Sequence, residues 1–237
     1  MTDNSIYIDC SAMPFLRPYL LREFGEERVI VSTDAAAAYP SVSTVVVIST
    51  ADVYGNEFER ASESDAVVAC DALSREQSME AKARKAGARR ILILRSAPVV
   101  GTGMTGYPRR LVGRVASGVF MQIDGADGRR SVVHATDLAL AARLLVEKAT
   151  AEGVFNVSDA ADPTVGELAE ALAFRLGQKR IFKLKASWAR WLPCKRSLAR
   201  RRLERTISIA RLCAETDFSP VPVTEYLRSH VYDSSSL

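Results

Sequence analysis

Four groups of residues in this chain stand out by type and spacing. Asp71 and Arg75 lie four apart in Asp71-Ala72-Leu73-Ser74-Arg75. An arginine that close holds the carboxyl ionised, which makes it a poor proton donor near neutral pH. Arg75 keeps its own proton too firmly for easy exchange. The same stretch also reads as a helix N-terminus with an acidic cap. Arg130 follows the Gly-containing turn Asp124-Gly125-Ala126-Asp127-Gly128. On its own it reads as a surface arginine after that turn. Tyr107, Arg109 and Arg110 open a helix, where such charges are usually only solvated. The fourth group is basic: between Lys179 and Arg205 eleven lysines and arginines stand against the single Glu204.

Those residues need elements to hold them. Ser5–Asp9 and Arg28–Ser32 read as short strands separated by a helix over Phe15–Phe24, which Gly25 stops. Thr44–Ser49 is a continuous β-branched run, the pattern of a central parallel strand covered on both faces. A helix over Ser74–Ala86 and a buried strand over Arg90–Arg95 follow. Strand, helix and strand alternate at βαβ lengths, so the fold class is α/β, a Rossmann-like parallel sheet with helices on both faces. In the second half a helix is predicted over Pro108–Ser117. Strands over Val119–Ile123 and Arg130–His134 then flank the Asp127-Gly128 hairpin signal. Asp137 caps a helix to Lys148, Val154–Val157 is a strand, and Thr164 caps a helix to Leu176. His134 falls on an inward-facing strand position and reads as a core histidine.

With no repeat and no linker-like stretch, residues 1–237 read as a single compact unit. Residues 1–105 form the core. Residues 106–237 form a further region with a small mixed C-terminal lobe, and the strand near 154–157 returns to the core. The 237 residues are 48% hydrophobic and 25% charged, with a net charge of +4. That suits an ordinary globular protein able to bury a full core. Cys10, Cys70, Cys194 and Cys213 form no C-x-x-C pair, so metal and disulfide-framework readings are weak. No apolar run approaches the ~20 residues of a membrane span, and the start lacks a signal pattern, so a cytoplasmic location is expected. The basic stretch 179–205 contains Trp188 and Trp191. It reads as a solvated lobe, a patch for an anionic partner, or a peripheral membrane contact. Nucleic-acid binding has no motif beyond charge.

Several segments resemble the extended short-chain dehydrogenase/reductase family, the NAD-dependent sugar-nucleotide epimerases and dehydratases. Ser49-Thr50-Ala51-Asp52-Val53-Tyr54-Gly55 is similar to its S-S/T-x-x-V-Y-G segment. Leu94-Arg95 through Val100-Gly101 resembles a family strand end. Arg130 through Ala139 resembles R-S/D-φ-V/I-H/Y-V-x-D-L/V-A, and Gly153-Val154-Phe155-Asn156-Val157 resembles G-x-V/F-F/Y-N-V/I. The resemblance implies that Thr50 fills the catalytic Ser/Thr position and that Arg130, Tyr107 and Arg109 lie on the substrate side. It also implies that Asp34 stands where an acidic residue meets the cofactor ribose, and that relatives dimerise through the helices flanking their catalytic tyrosine.

Against that pattern the chain departs in three places. The G-x-x-G-x-x-G turn that brings backbone against a pyrophosphate is filled by Ser11, Pro14 and Arg17. Asp71 and Arg75 replace the Tyr and Lys of Y-x-x-x-K, which perform the proton transfer. Asp34 runs almost directly into the strand ending at Thr50, so about sixty residues and about two strands of the usual doubly wound sheet are missing. The resemblance therefore implies an epimerase-like protein that has lost NAD(P)-dependent catalysis and takes no cofactor. Such a protein keeps a nucleotide-sugar-like pocket or pairs, as homodimer or heteromer, with a full-length relative. The alternatives are an active NAD(P)-dependent enzyme with an atypical site, and a scaffold acting through the basic lobe.

Overall fold

The computed structural model describes residues 6–123, 127–178, 181–185 and 202–229. In chain order the strands are β1 (Ile6–Asp9), β2 (Val29–Ser32), β3 (Thr44–Thr50), β4 (Phe58–Ala61), β5 (Arg90–Ser96), β6 (Val99–Val100), β7 (Met121–Ile123), β8 (Val133–His134), β9 (Gly153–Val157), β10 (Phe182–Leu184) and β11 (Arg205–Ile207). The helices are α1 (Arg17–Phe24), α2 (Asp71–Lys85), α3 (Gly106–Ala116), α4 (Ala135–Glu147), α5 (Val165–Arg175), α6 (Ala210–Glu215) and α7 (Val223–Ser229).

Five strands form one parallel sheet in the order β2-β1-β3-β5-β9. The β-branched run of β3 is central and pairs with β5 from Thr44↔Arg90 to Thr50↔Ser96. Because side chains alternate across a strand, one residue set faces each helical layer. Ile8, Val46, Ile48, Leu92 and Leu94 pack with Leu20 of α1 and Leu138 and Leu145 of α4. Tyr7, Val45, Val47, Ile91 and Ile93 pack with Met79 and Ala83 of α2. The helices thus cover both faces, as the α/β reading requires. A further core joins Leu111 and Val115 of α3 to Leu168 and Leu172 of α5 and Leu227 of α7.

Residues 33–43 connect β2 to β3 without a regular element. Tyr39 from this connection stacks on Tyr7 with ring centroids 4.6 Å apart, and Lys82 of α2 donates to the Ala35 carbonyl. This is the place where the sequence is short against the family pattern, and β2 is left as a sheet edge.

Two expectations are corrected. Asp127-Gly128 does not close a hairpin: β7 pairs in parallel with β10, and β8 pairs in parallel with β6. Gly128 instead sits against backbone, since a Cβ there would lie 2.5 Å from the Leu203 carbonyl oxygen. Asp137 does not cap α4. His134 is the N-cap, its Nδ1 accepting the Thr136 amide at 3.3 Å, and its ring stacks on Tyr226. Asp137 accepts the amide of Val221 from the C-terminal segment. The Thr164 cap is present as a full capping box with Glu167. No helix among the described residues is long and apolar enough to cross a membrane. Most of the basic stretch 179–205 lies outside the described residues.

Candidate functional site

Thr50 ends β3 and Ser96 ends β5, side by side in register. Beyond these C-terminal strand ends, where ligands bind in open α/β sheets, a cleft of about 710 Å³ opens. Its size is that of a small-molecule pocket. Met13 and Phe15 from the turn after β1 form one wall, and Tyr107, Arg110 and Arg114 of α3 form another. Arg130 and Arg205 close the side towards the C-terminal region.

Local structure explains each position. Pro108, Leu111 and Val115 bury one face of α3, which leaves Arg110 and Arg114, one helical turn apart, on the cleft side. Arg130 is held by its backbone, whose amide donates to the Pro163 carbonyl at 2.9 Å. Its guanidinium lies 5.0 Å from the centre of the Tyr107 ring, a cation–π contact that orients both. Arg205 arrives from the C-terminal region because backbone bonds tie its strand to residues 129–131: the Arg205 amide to the Arg129 carbonyl at 3.0 Å, and the Ser131 amide to the Arg205 carbonyl at 2.9 Å. The Arg205 guanidinium donates to the Asn56 carbonyl and side-chain oxygens at 2.7 and 2.9 Å and faces Asp52 at 3.7 Å.

Among the described residues, four guanidinium groups therefore line the cleft against one carboxylate, Asp52. Such a wall favours a ligand with more than one negative charge. On the cleft floor the Thr50 hydroxyl oxygen is buried and has no hydrogen-bond partner among the described residues. A buried hydroxyl left without a partner is unfavourable unless a ligand or water meets it.

Of the residues singled out from sequence, Thr50, Tyr107, Arg110 and Arg130 come together in this cleft. Arg109 is exposed on α3 beside them and does not line it. Asp71 and Arg75 are exposed on the first turns of α2, also outside the cleft. Asp34 is exposed after β2, where its carboxylate accepts the Ala36 amide at 2.8 Å. Arg114 went unnoticed, although its i, i+4 relation to Arg110 was available in the sequence. Also missed was the buried network beneath the cleft. Glu76 accepts from Arg95 at 2.7 Å and from the Ser49 hydroxyl at 2.6 Å, and the Tyr54 hydroxyl donates to Asn156 at 2.8 Å. Tyr54 thus belongs to the core, and burial raises its phenol above the ordinary value. Among the described residues no group of His, Cys, Asp and Glu side chains can hold a metal ion.

No protein-family model matches the sequence, and no curated protein matches it significantly. Solved structures do match. A human epimerase family protein, SDR39U1 isoform 2 with NADPH, superposes with a TM-score of 0.68 at 15% identity, over 96% of this chain and 99% of that one. MoeE5 in complex with UDP-glucuronic acid and NAD gives 0.68 at 18% identity, over 96% and 97%. UDP-N-acetylglucosamine 4-epimerase from Bacillus cereus gives 0.65 at 15%, over 94% and 96%. This chain shares the fold of these epimerase structures.

An epimerase-like fold implies a dinucleotide whose pyrophosphate rests on the turn after β1. The residues here do not fit that group. The Ser11 amide donates to Asp9 at 2.9 Å, Met13 to the Cys10 carbonyl at 2.8 Å and Leu16 to the Met13 carbonyl at 3.0 Å. Arg17 donates to the Pro14 carbonyl, and neither Pro14 nor Pro18 has an amide proton. The turn closes on itself as a 3-10 helix over Pro14–Leu16, so these amides are turned inward rather than towards a phosphate. The buried Asp9 carboxylate beneath the turn adds a like charge. Cys10, also buried there, is a thiol that burial pushes up to about 12, so it supplies no nucleophile near neutral pH.

Proposed function

We propose that this epimerase-like chain binds a nucleotide-sugar-like diphosphate in its cleft and has lost NAD(P)-dependent catalysis. The observation that carries this reading is the convergence of Arg110, Arg114, Arg130 and Arg205 on one cleft beside Tyr107. Guanidinium groups on two sides match the spread charge of a diphosphate, and the ring stacked on Arg130 gives an apolar surface for a base or sugar. Similar folds, such as MoeE5, were crystallised with UDP-sugars.

The loss of catalysis rests on the closed turn after β1, and on Asp71 and Arg75 being exposed outside the cleft. Among the described residues lining the cleft there is no Lys to pair with Tyr107 as in a Tyr–Lys proton-transfer pair, and the closed turn offers no seat for a cofactor that would accept hydride. Calorimetry with UDP-glucose and UDP-glucuronic acid tests the first half, with Arg114→Glu expected to weaken binding by about tenfold or more and added salt to weaken it further. Titration with NAD(H) and NADP(H) at millimolar concentration tests the second, with no binding expected. Micromolar cofactor affinity overturns the loss of catalysis. Failure of every nucleotide sugar to bind overturns the ligand and favours a scaffold acting through the basic C-terminal region.

A further inference from the structure

The shortened connection has a consequence at the sheet edge. β2 has β1 on one side, and among the described residues no strand, helix or loop pairs with its other side. The Ser32 carbonyl accepts the Cys10 amide at 2.9 Å, so Ile30 and Ser32 point their backbone groups at β1. By the alternation of a parallel ladder, the amides and carbonyls of Val29, Val31 and Thr33 face outward. Natural edges are usually blunted by lysine, proline or a bulge. This one carries none of them, and Ile30 is 50% exposed.

The sequence around this edge is complementary to itself. Two antiparallel copies related by a twofold axis at Val31 set Val29 against Thr33 and Val31 against its own copy. Each of those residues has its backbone groups on the outer side, so the pairs exchange hydrogen bonds. The same register sets Arg28 opposite Asp34 at both ends. Both are exposed, and no ion pair joins either to the described residues. The two Ile30 side chains become diagonal neighbours on one face, within reach of each other. Exposed Ala35, Ala36 and Ala38 flank the strand with little bulk to prevent approach. By contrast α2 presents Arg75, Gln77, Ser78, Arg84 and Lys85 to solvent, a poor apolar surface for helix-mediated pairing.

We propose that β2 is the interface between two copies of this chain, joined antiparallel about Val31 into one continuous sheet. The contact is isologous, which closes a dimer and leaves no growing end. It is independent of what occupies the cleft.

Sedimentation of the full chain tests it. At about 100 µM, well above a micromolar Kd, the wild type is expected as a dimer. Arg28→Asp and Asp34→Arg each set like charges opposite one another twice, and each is expected to weaken association by about tenfold or more. The double variant swaps the pair and is expected to recover dimerisation to within about threefold of wild type, a rescue that damage to the fold does not produce. Ile30→Lys is expected to give a monomer with an unchanged far-UV spectrum. A monomeric wild type overturns the proposal, as does a dimer whose Kd neither single charge reversal moves.

Discussion

The Tyr39 hydroxyl donates to the Asp9 carboxylate at 2.5 Å, tying the connection between β2 and β3 to the C-terminal end of β1. In doubly wound folds this end faces a ligand, and here the chain's own side chain meets it. Burial raises the Tyr39 phenol well above its ordinary value, and the hydrogen bond to Asp9 raises it further, so the donor proton is held firmly. Removing the hydroxyl leaves a buried carboxylate oxygen unsatisfied, an effect of about 1–3 kcal/mol. Tyr39→Phe is therefore expected to lower the urea midpoint with an unchanged m-value. An unchanged midpoint would show that Asp9 finds water or another donor.

Arg95 and Glu76 form a buried ion pair, their side chains only 7% and 4% exposed. Two Arg95 nitrogens reach the carboxylate, and Ser49 donates to its other oxygen, so the charge is well solvated by the protein. Breaking one half leaves a buried uncompensated charge, which destabilises by about 3–5 kcal/mol. Glu76→Gln and Arg95→Met are each expected to lose stability on that scale. The double variant that combines Glu76→Gln with Arg95→Met is expected to lose less than the sum of the two. Chemical denaturation of the three variants reads this directly, and additive losses in the double variant would mean that the pair is not coupled.

The sheet was legible in the sequence because its strands are pure patterns: Thr44–Ser49 and Arg90–Arg95 are apolar runs with no competing period. Thr164 with Glu167 was legible as a cap for the same local reason. The Asp127-Gly128 turn misled, since the glycine serves a close approach of the backbone near Leu203 that lies far along the chain. His134 in place of Asp137 as the cap of α4 is a similar case, because Asp137 is drawn to Val221. At the site, Thr50, Tyr107 and Arg130 could be picked out by type and neighbourhood. Arg205 could not be singled out from a run of basic residues, because its place depends on long-range pairing with residues 129–131.

Asp159 predicts an unusual pH response. It is 3% exposed and accepts the amides of Val223 at 2.7 Å and Ala161 at 3.1 Å. Burial pushes its carboxyl up to about 6 from 3.8, against the opposing pull of those amides. The folded chain then binds this proton more tightly than the unfolded chain. Stability from this group is full below the ordinary value, falls as pH rises through about 4 to 6, and stays low above that. The displacement corresponds to about 3 kcal/mol as an upper figure. Asp159→Asn keeps an acceptor without the charge. It is expected to exceed wild type in stability at about pH 8 and to lose that advantage near pH 4, in paired denaturation curves. A constant difference across the range would assign the effect to packing instead.

Gly128 links the C-terminal region to the cleft. A Cβ there would meet the carbonyl oxygens of Leu203 and Arg202 at 2.5 and 2.7 Å, and both are backbone atoms that cannot swing aside. Gly128→Ala must therefore push residues 202–205 away from the segment around Arg129. That motion strains the amide bond from Arg205 to the Arg129 carbonyl and withdraws one guanidinium from the cleft. The core of the sheet does not depend on this contact, so the far-UV spectrum is expected to be unchanged while overall stability falls by about 1–3 kcal/mol, as for other overpacking changes. Binding of UDP-sugars should fall by about as much as in Arg205→Ala, and adding Arg205→Ala to Gly128→Ala should cause little further loss. Full additivity of the two in calorimetry would show that Gly128 acts on the ligand by some route other than the placement of Arg205.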